Sequence, residues 1–135
     1  MRVMLEEGAY LPERAHEDDA GFDLRSRETK LVHPGEHAMF NTGVHVEIPR
    51  THVGMITSKS GLMGKGLTSR GTIDSGYTGP IRVVLYNHGS EGYLVHEGDK
   101  ISQLVILPII TPELEEVSCL EKTERGSGGF GSTGK

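Results

Sequence analysis

Turn signals punctuate this chain too often for long helices to form. Pro34-Gly35, Gly79-Pro80, Asn87-His88-Gly89-Ser90 and Glu97-Gly98-Asp99 belong to a series that recurs about every 8–12 residues, the spacing of short antiparallel strands. Between the turns the apolar residues keep a two-residue period. Val44, Val46 and Ile48 alternate with His45 and Glu47 before Pro49 ends the run, which is the pattern of a half-buried strand. Ile81-Arg82-Val83-Val84-Leu85-Tyr86 and Ile101-Ser102-Gln103-Leu104-Val105-Ile106-Leu107 are longer β-rich runs. Shorter strands are expected over 2–5, 22–26, 37–40, 53–57, 72–74, 92–95 and 113–117. Only 60–65 has room for a short helix, and Gly61 and Gly64 weaken it. The expected fold is all-β, an antiparallel sandwich, jelly roll or small barrel.

At 135 residues the chain suits one domain. No apolar run approaches the roughly 20 residues of a membrane span, and Glu6 and Glu7 stand where a signal peptide would be apolar. A cytoplasmic protein without a targeting segment is the expectation. The single cysteine, Cys119, excludes an internal disulfide and a multi-cysteine zinc site. With 14 basic and 19 acidic residues the net charge is −5, a poor footprint for nucleic acid. Neither a nucleic-acid nor a membrane partner is expected. The end of the chain, from Arg125 to Lys135, is glycine-rich and cannot build a core of its own. It divides the chain into a β domain, 1–124, and a flexible arm, 125–135.

Several short matches fail on context. Gly126, Gly128 and Gly131 fit a dinucleotide fingerprint, but no βαβ unit surrounds them. Gly134-Lys135 ends a partial phosphate-loop pattern that has no following helix. His33 and His37 have the spacing of paired metal ligands on a helix, which Pro34-Gly35 forbids. Ser58-Lys59-Ser60-Gly61 reads equally as a plain loop or as a turn whose hydroxyls, amides and ammonium suit phosphate oxygens. Asp74 and Tyr77, flanked by Gly71, Gly76 and Gly79, read equally as a turn-initiating acid beside a half-buried aromatic or as a catalytic pair.

Taken in order, five blocks carry more information than any one. Ala20-Gly21-Phe22-Asp23-Leu24, Ser58-Lys59-Ser60-Gly61-Leu62, Gly71-Thr72-Ile73-Asp74-Ser75-Gly76-Tyr77, Gly98-Asp99-Lys100-Ile101-Ser102-Gln103-Leu104 and the Arg125-Gly126-Ser127-Gly128-Gly129-Phe130-Gly131-Ser132-Thr133-Gly134 tail span residues 20–134. The succession resembles the five ordered motifs of the homotrimeric dUTPases. That resemblance implies a jelly-roll-like trimer with sites at subunit interfaces, hydrolysing dUTP to dUMP and pyrophosphate with Mg²⁺. The activity limits uracil incorporation into DNA and supplies dUMP.

Carried over by residue, the resemblance makes Asp74 the base that deprotonates the water attacking the α-phosphorus. A carboxylate ionised at neutral pH suits that role. It lays Tyr77 against the deoxyribose, leaving no space for a 2′-hydroxyl. It pairs strand backbone from Thr68 through Thr72 and Ile73 with the uracil edge, with Arg82 also at the substrate. Lys59, Ser60, Gly61 and Gln103 hold phosphate oxygens, and Asp23 touches the Mg²⁺ ion through water. From the arm, Phe130 stacks on uracil beside Gly131, while Arg125, Ser132 and Thr133 grip the γ-phosphate.

Three departures stand out. The second block, usually Pro-Arg-Ser-Gly, reads Ser58-Lys59-Ser60-Gly61, and lysine keeps the charge without the bidentate fork of arginine. The stretch 62–71 is shorter than in many relatives and puts Thr68 near where an asparagine often reads uracil. Lys135 follows the fifth block at once, leaving no extension for a partner. Two rivals share the fold. A dCTP deaminase, or a bifunctional relative, would need a glutamate where Val84 stands three positions before Asn87. A non-catalytic nucleotide-sensing regulator would need neither Asp74 nor the fifth block.

Overall fold

Antiparallel pairing joins every strand of the computed structural model, which describes residues 1–129. The strand Arg82–Asn87 (β9) shows how the sequence becomes sheet. Val83, Leu85 and Asn87 are buried while Arg82 and Tyr86 face out, because successive side chains of a strand point to opposite faces. It is the centre of a three-stranded sheet, with His37–Asn41 (β4) on one side and Leu67–Thr68 (β7) on the other. A four-stranded sheet lies in the order Gly21–Arg25 (β2), Lys100–Pro108 (β11), His52–Thr57 (β6) and Arg70–Ile73 (β8). Two ribbons complete the β structure. Val3–Leu5 (β1) pairs with Val44–Val46 (β5), and Lys30–Val32 (β3) pairs with Tyr93–Val95 (β10).

Leu24, Ile56 and Leu104 from the larger sheet meet Phe40, Leu67, Val83 and Leu85 from the smaller one in a single core, joined by Val32, Val44 and Val95 from the ribbons. Each such side chain stabilises the fold by about 1.5–3 kcal/mol on burial. The one helix among the described residues, Ser60–Met63 (α1), sits where a short helix was expected and stops two residues sooner. Gly66 beyond it has φ +81°, and a Cβ there would lie 2.9 Å from the Gly89 nitrogen. Only glycine suits both that backbone angle and that approach.

The all-β expectation holds, with one strand too many and two too few. Residues 113–117 form no strand: Leu114 is 98% exposed, and none of the described strands lies alongside to form a ladder. The segment's apolar residues, Leu114 and Val117, do not alternate strictly with polar ones, and an unpaired strand is not stable alone. The missed strands, β3 and β7, have three and two residues, too short to show a period. No helix among the described residues is long and apolar enough to cross a membrane.

Candidate active site

One row of residues crosses the four-stranded sheet. Asp23 lies opposite Gln103, Gln103 opposite Thr57, and Thr57 opposite Arg70. Gly21 makes room for this row, since a Cβ there would press Gln103 Cβ at 3.0 Å and Cδ at 3.3 Å. Asp23 is buried, and its carboxylate accepts from Lys59 Nζ at Oδ1 and from Lys100 Nζ at Oδ2, the latter at 2.6 Å. Gln103 Nε2 adds a longer contact at 3.4 Å. Lys100 enters at a shift in the β11–β2 register, and the bulge leaves consecutive residues Ile101 and Ser102 both buried.

Burial by itself would raise the Asp23 pKa. Hydrogen bonds from Lys100 and Lys59, with their charges, outweigh it and hold the carboxyl below its ordinary 3.8. The folded value lies below the unfolded one, so the pairing contributes fully above pH 3.8 and is lost as pH falls through the lowered folded value. Asp23→Asn is therefore expected to destabilise the protein by about 2 kcal/mol at neutral pH. That is less than the roughly 3–5 kcal/mol of a fully buried pair, because both ammonium groups remain partly exposed. Denaturant titrations of both proteins across acid pH check this: the gap should narrow below pH 3.8, and a constant gap would mean that the ion pairs stabilise nothing.

The turn after β6 is held by serines. Ser58 Oγ donates to the Ser69 carbonyl and accepts from the Ser69 amide, both at 2.8 Å. Ser69 Oγ meets Ser102 Oγ at 2.8 Å, and Ser102 Oγ donates to the Thr57 carbonyl at 2.8 Å. This net fixes Lys59 over Asp23 and starts α1 with Ser60 and Gly61 exposed. A Cβ at Gly61 would meet nothing within 4 Å, so the fold itself does not demand glycine there. Sequence reasoning missed Lys100, Ser69 and Ser102. The one visible signal was Ser58 in place of proline, since a hydroxyl can tie a turn that proline would stiffen.

A second group gathers at the other end of β8. Thr72, Ile73, Asp74, Tyr77 and Arg82 line one cleft of about 200 Å³. The Tyr77 amide donates to the Asp74 carbonyl at 3.0 Å, closing the turn. Tyr77 Oη donates to the Pro80 carbonyl at 2.9 Å. The ring crosses Gly79, where a Cβ would fall 2.5 Å from Oη. β8 is the sheet's edge, paired with β6 alone, so the outer row of its backbone groups has no strand partner among the described residues.

The chain does not bring the two groups together. Asp74 lies four residues beyond Arg70 along β8, about 13 Å from the Asp23–Gln103 row at strand spacing. Thr68 borders the first group, away from the second. Its hydroxyl meets His88 Nε2 at 2.9 Å, in a cavity of about 590 Å³ that Ser58 and Arg70 of the first group line with Tyr86. Arg125 is exposed and donates from Nε to the Gly128 carbonyl at 3.0 Å. Phe130, Gly131, Ser132 and Thr133 lie outside the described residues.

Comparisons with known proteins bear on this arrangement. The dUTPase family model matches residues 7–134. A deoxyuridine 5′-triphosphate nucleotidohydrolase of Clostridium tetani is 47% identical over 98% of this chain and 94% of its own length. One of Clostridium acetobutylicum is 45% identical over 96% and 92%. Among solved structures, the dUTPase of Staphylococcus bacteriophage 80alpha with dUpNHpp superposes with a TM-score of 0.91 at 36% identity, covering 99% of this chain and 98% of its own. A mutant dUTPase from phage phi11 of S. aureus, described with a structural Mg(II) ion, gives 0.82 at 37% identity over 90% and 98%.

Proposed function

As the chain belongs to the dUTPase family and hydrolyses dUTP, we propose that its two residue groups meet between subunits of a homotrimer, each site built from more than one chain. The observation that carries this reading is their separation within one chain. Asp74 and Tyr77 share a cleft, whereas Gln103 and Asp23 lie two and three strands across the sheet as well as about 13 Å along it, and one dUTP must touch both groups. Cyclic symmetry solves that geometry without altering the fold.

In the shared site Asp74 takes a proton from water as the water oxygen bonds to the α-phosphorus. The bond from that phosphorus to the bridging oxygen breaks, and pyrophosphate leaves. Tyr77 packs against the deoxyribose. The backbone from Thr68 on β7 through Thr72 and Ile73 on the free edge of β8 pairs with uracil, with Arg82 beside it. Lys59, Ser60, Gly61 and Gln103 take phosphate oxygens. Arg125, Phe130, Gly131, Ser132 and Thr133 close over the nucleotide.

Mg²⁺ fits this donor set only through water. Among the described residues no cluster of three or more His, Cys, Asp or Glu side chains could hold a metal, and both Asp23 oxygens already accept from lysines. Asp23 would accept from the ion's water shell at a remaining lone pair, while phosphates supply the direct ligands. Bound there, the ion would neutralise charge on the phosphate chain.

A nucleotide panel with Mg²⁺ and EDTA arms tests the reading. Pyrophosphate is expected from dUTP, far less from UTP, and ammonia from dCTP is not expected. Val84 stands where a deaminase needs its glutamate, and both Asn87 amide hydrogens are already given to the Val32 and Glu91 carbonyls. Equal turnover of UTP and dUTP would remove Tyr77 from sugar selection.

A further inference from the structure

β5 lies between β1 and the chain that follows the Asp74–Tyr77 turn, and its middle residue, His45, reaches both neighbours. Nδ1 is 2.8 Å from the Thr78 carbonyl oxygen, and Nε2 is 3.1 Å from Glu6 Oε1. Both partners are acceptors. A neutral imidazole has one N–H and satisfies only one of them, whereas the imidazolium donates to both. The side chain is 15% exposed, so water replaces a lost bond poorly.

The acceptor on the far side is itself held. Arg27 pairs with Glu6 by passing over Gly43, where φ is +67° and a Cβ would lie 2.1 Å from Nη1. The Glu6 amide donates to the Gly43 carbonyl at 2.9 Å. The turn's exit is fixed by the Ile81 amide on the Val44 carbonyl at 2.8 Å, which leaves His45 as the side chain that grips the exposed Thr78.

We propose that His45 is a positioning residue for sugar selection: held between Glu6 and the Thr78 carbonyl, it fixes the turn that carries Asp74 and Tyr77, and its protonation sets how sharply dUTP is preferred over UTP. The claim rests on the dUTP-hydrolysing reading of that turn. The other charged groups nearby leave His45 free for this task. Arg2 and Glu47 line the same groove but pair with each other. Asp74 and Arg82 line the neighbouring cleft.

The Thr78 carbonyl first, then Glu6, raises the His45 pKa above its ordinary 6.5. The two-sided grip is therefore complete below pH 6.5, and one of its two hydrogen bonds is lost as pH rises through the raised value. Labelled protein without nucleotide, titrated by NMR, should show His45 changing charge above 6.5. The Gly79 amide, whose peptide contains the Thr78 carbonyl, should shift with the same midpoint. Glu6→Gln should lower that midpoint. In kinetics, the dUTP-to-UTP ratio of kcat/KM should fall about threefold to tenfold as pH passes the His45 midpoint, the size of one lost hydrogen bond. The ratio cancels ionisation of the shared triphosphate. His45→Gln can donate to Thr78 but cannot titrate, so its ratio should stay flat. If that variant fails to fold, Glu6→Gln must move the pH at which the ratio falls. A Gly79 amide that ignores His45, or a wild-type ratio unchanged through the midpoint, overturns the proposal. Absence of dUTP hydrolysis would instead overturn the functional reading, while the NMR titration would still decide whether His45 grips the turn.

Discussion

Asp74→Asn is expected to lower kcat for dUTP by about 10²–10⁴, the usual cost of removing a general base, with KM nearly unchanged. The amide keeps the size and hydrogen-bonding reach of the carboxylate but cannot accept the proton. Asp74 is exposed, and its backbone carbonyl, not its side chain, closes the turn with the Tyr77 amide. The substitution should therefore leave the fold intact. The same variant also tests the shared site. Gln103→Leu lies in the other residue group, so each single variant should be impaired for a different reason. Trimers reassembled from an equal mixture should recover activity, since some junctions then join an intact Asp74 to an intact Gln103. For one productive pairing per junction, random mixing restores about a quarter of wild-type activity under cyclic symmetry. No recovery in well-mixed trimers would place both residues in a site made by one chain.

Truncation after Glu124 is expected to cost at least about 10²-fold in kcat/KM, the scale on which loss of substrate positioning is felt, while folding and assembly persist. The last described strand ends at Pro108, and residues 109–127 are exposed, so among the described residues removal from 125 onward withdraws none of the core. On the proposed reading, what is lost is Arg125 as a fork for the γ-phosphate and Phe130 as a π-face for the base, worth roughly 1–3 kcal/mol by analogy with nucleic-acid stacking. Phe130→Ala should fall between the truncated and intact enzymes. Steady-state kinetics beside thermal unfolding separates the two effects. A truncated enzyme with normal turnover would mean that the arm takes no part in the reaction.

The all-β character and most strands were legible because burial alternates locally. In β9 the outward Arg82 and the inward Val83 and Leu85 follow polarity, while the half-buried Val84 and the buried Asn87 follow only the strand's two-residue period. The ordered blocks pointed to Asp74, Tyr77, Gln103 and Asp23, and their spacing along the chain depends on no tertiary contact. The limit of local reading shows at residues 113–117, expected as a strand, where none of the described strands lies alongside. It shows again at β3 and β7, which exist because β10 and β9 pair with them.

Tertiary structure alone decided what surrounds the candidate site residues. Lys100 and Asp23 are far apart in sequence, yet a bulge in β11 and the β11–β2 register bring them within 2.6 Å. Ser58, Ser69 and Ser102 are ordinary polar residues until two strands and a turn converge on them. His45 reads in sequence as one polar tooth of an alternating strand, and only folding sets its two nitrogens between Thr78 and Glu6. Periodicity is a property of neighbours along the chain, whereas hydrogen-bond partners are chosen by register and packing.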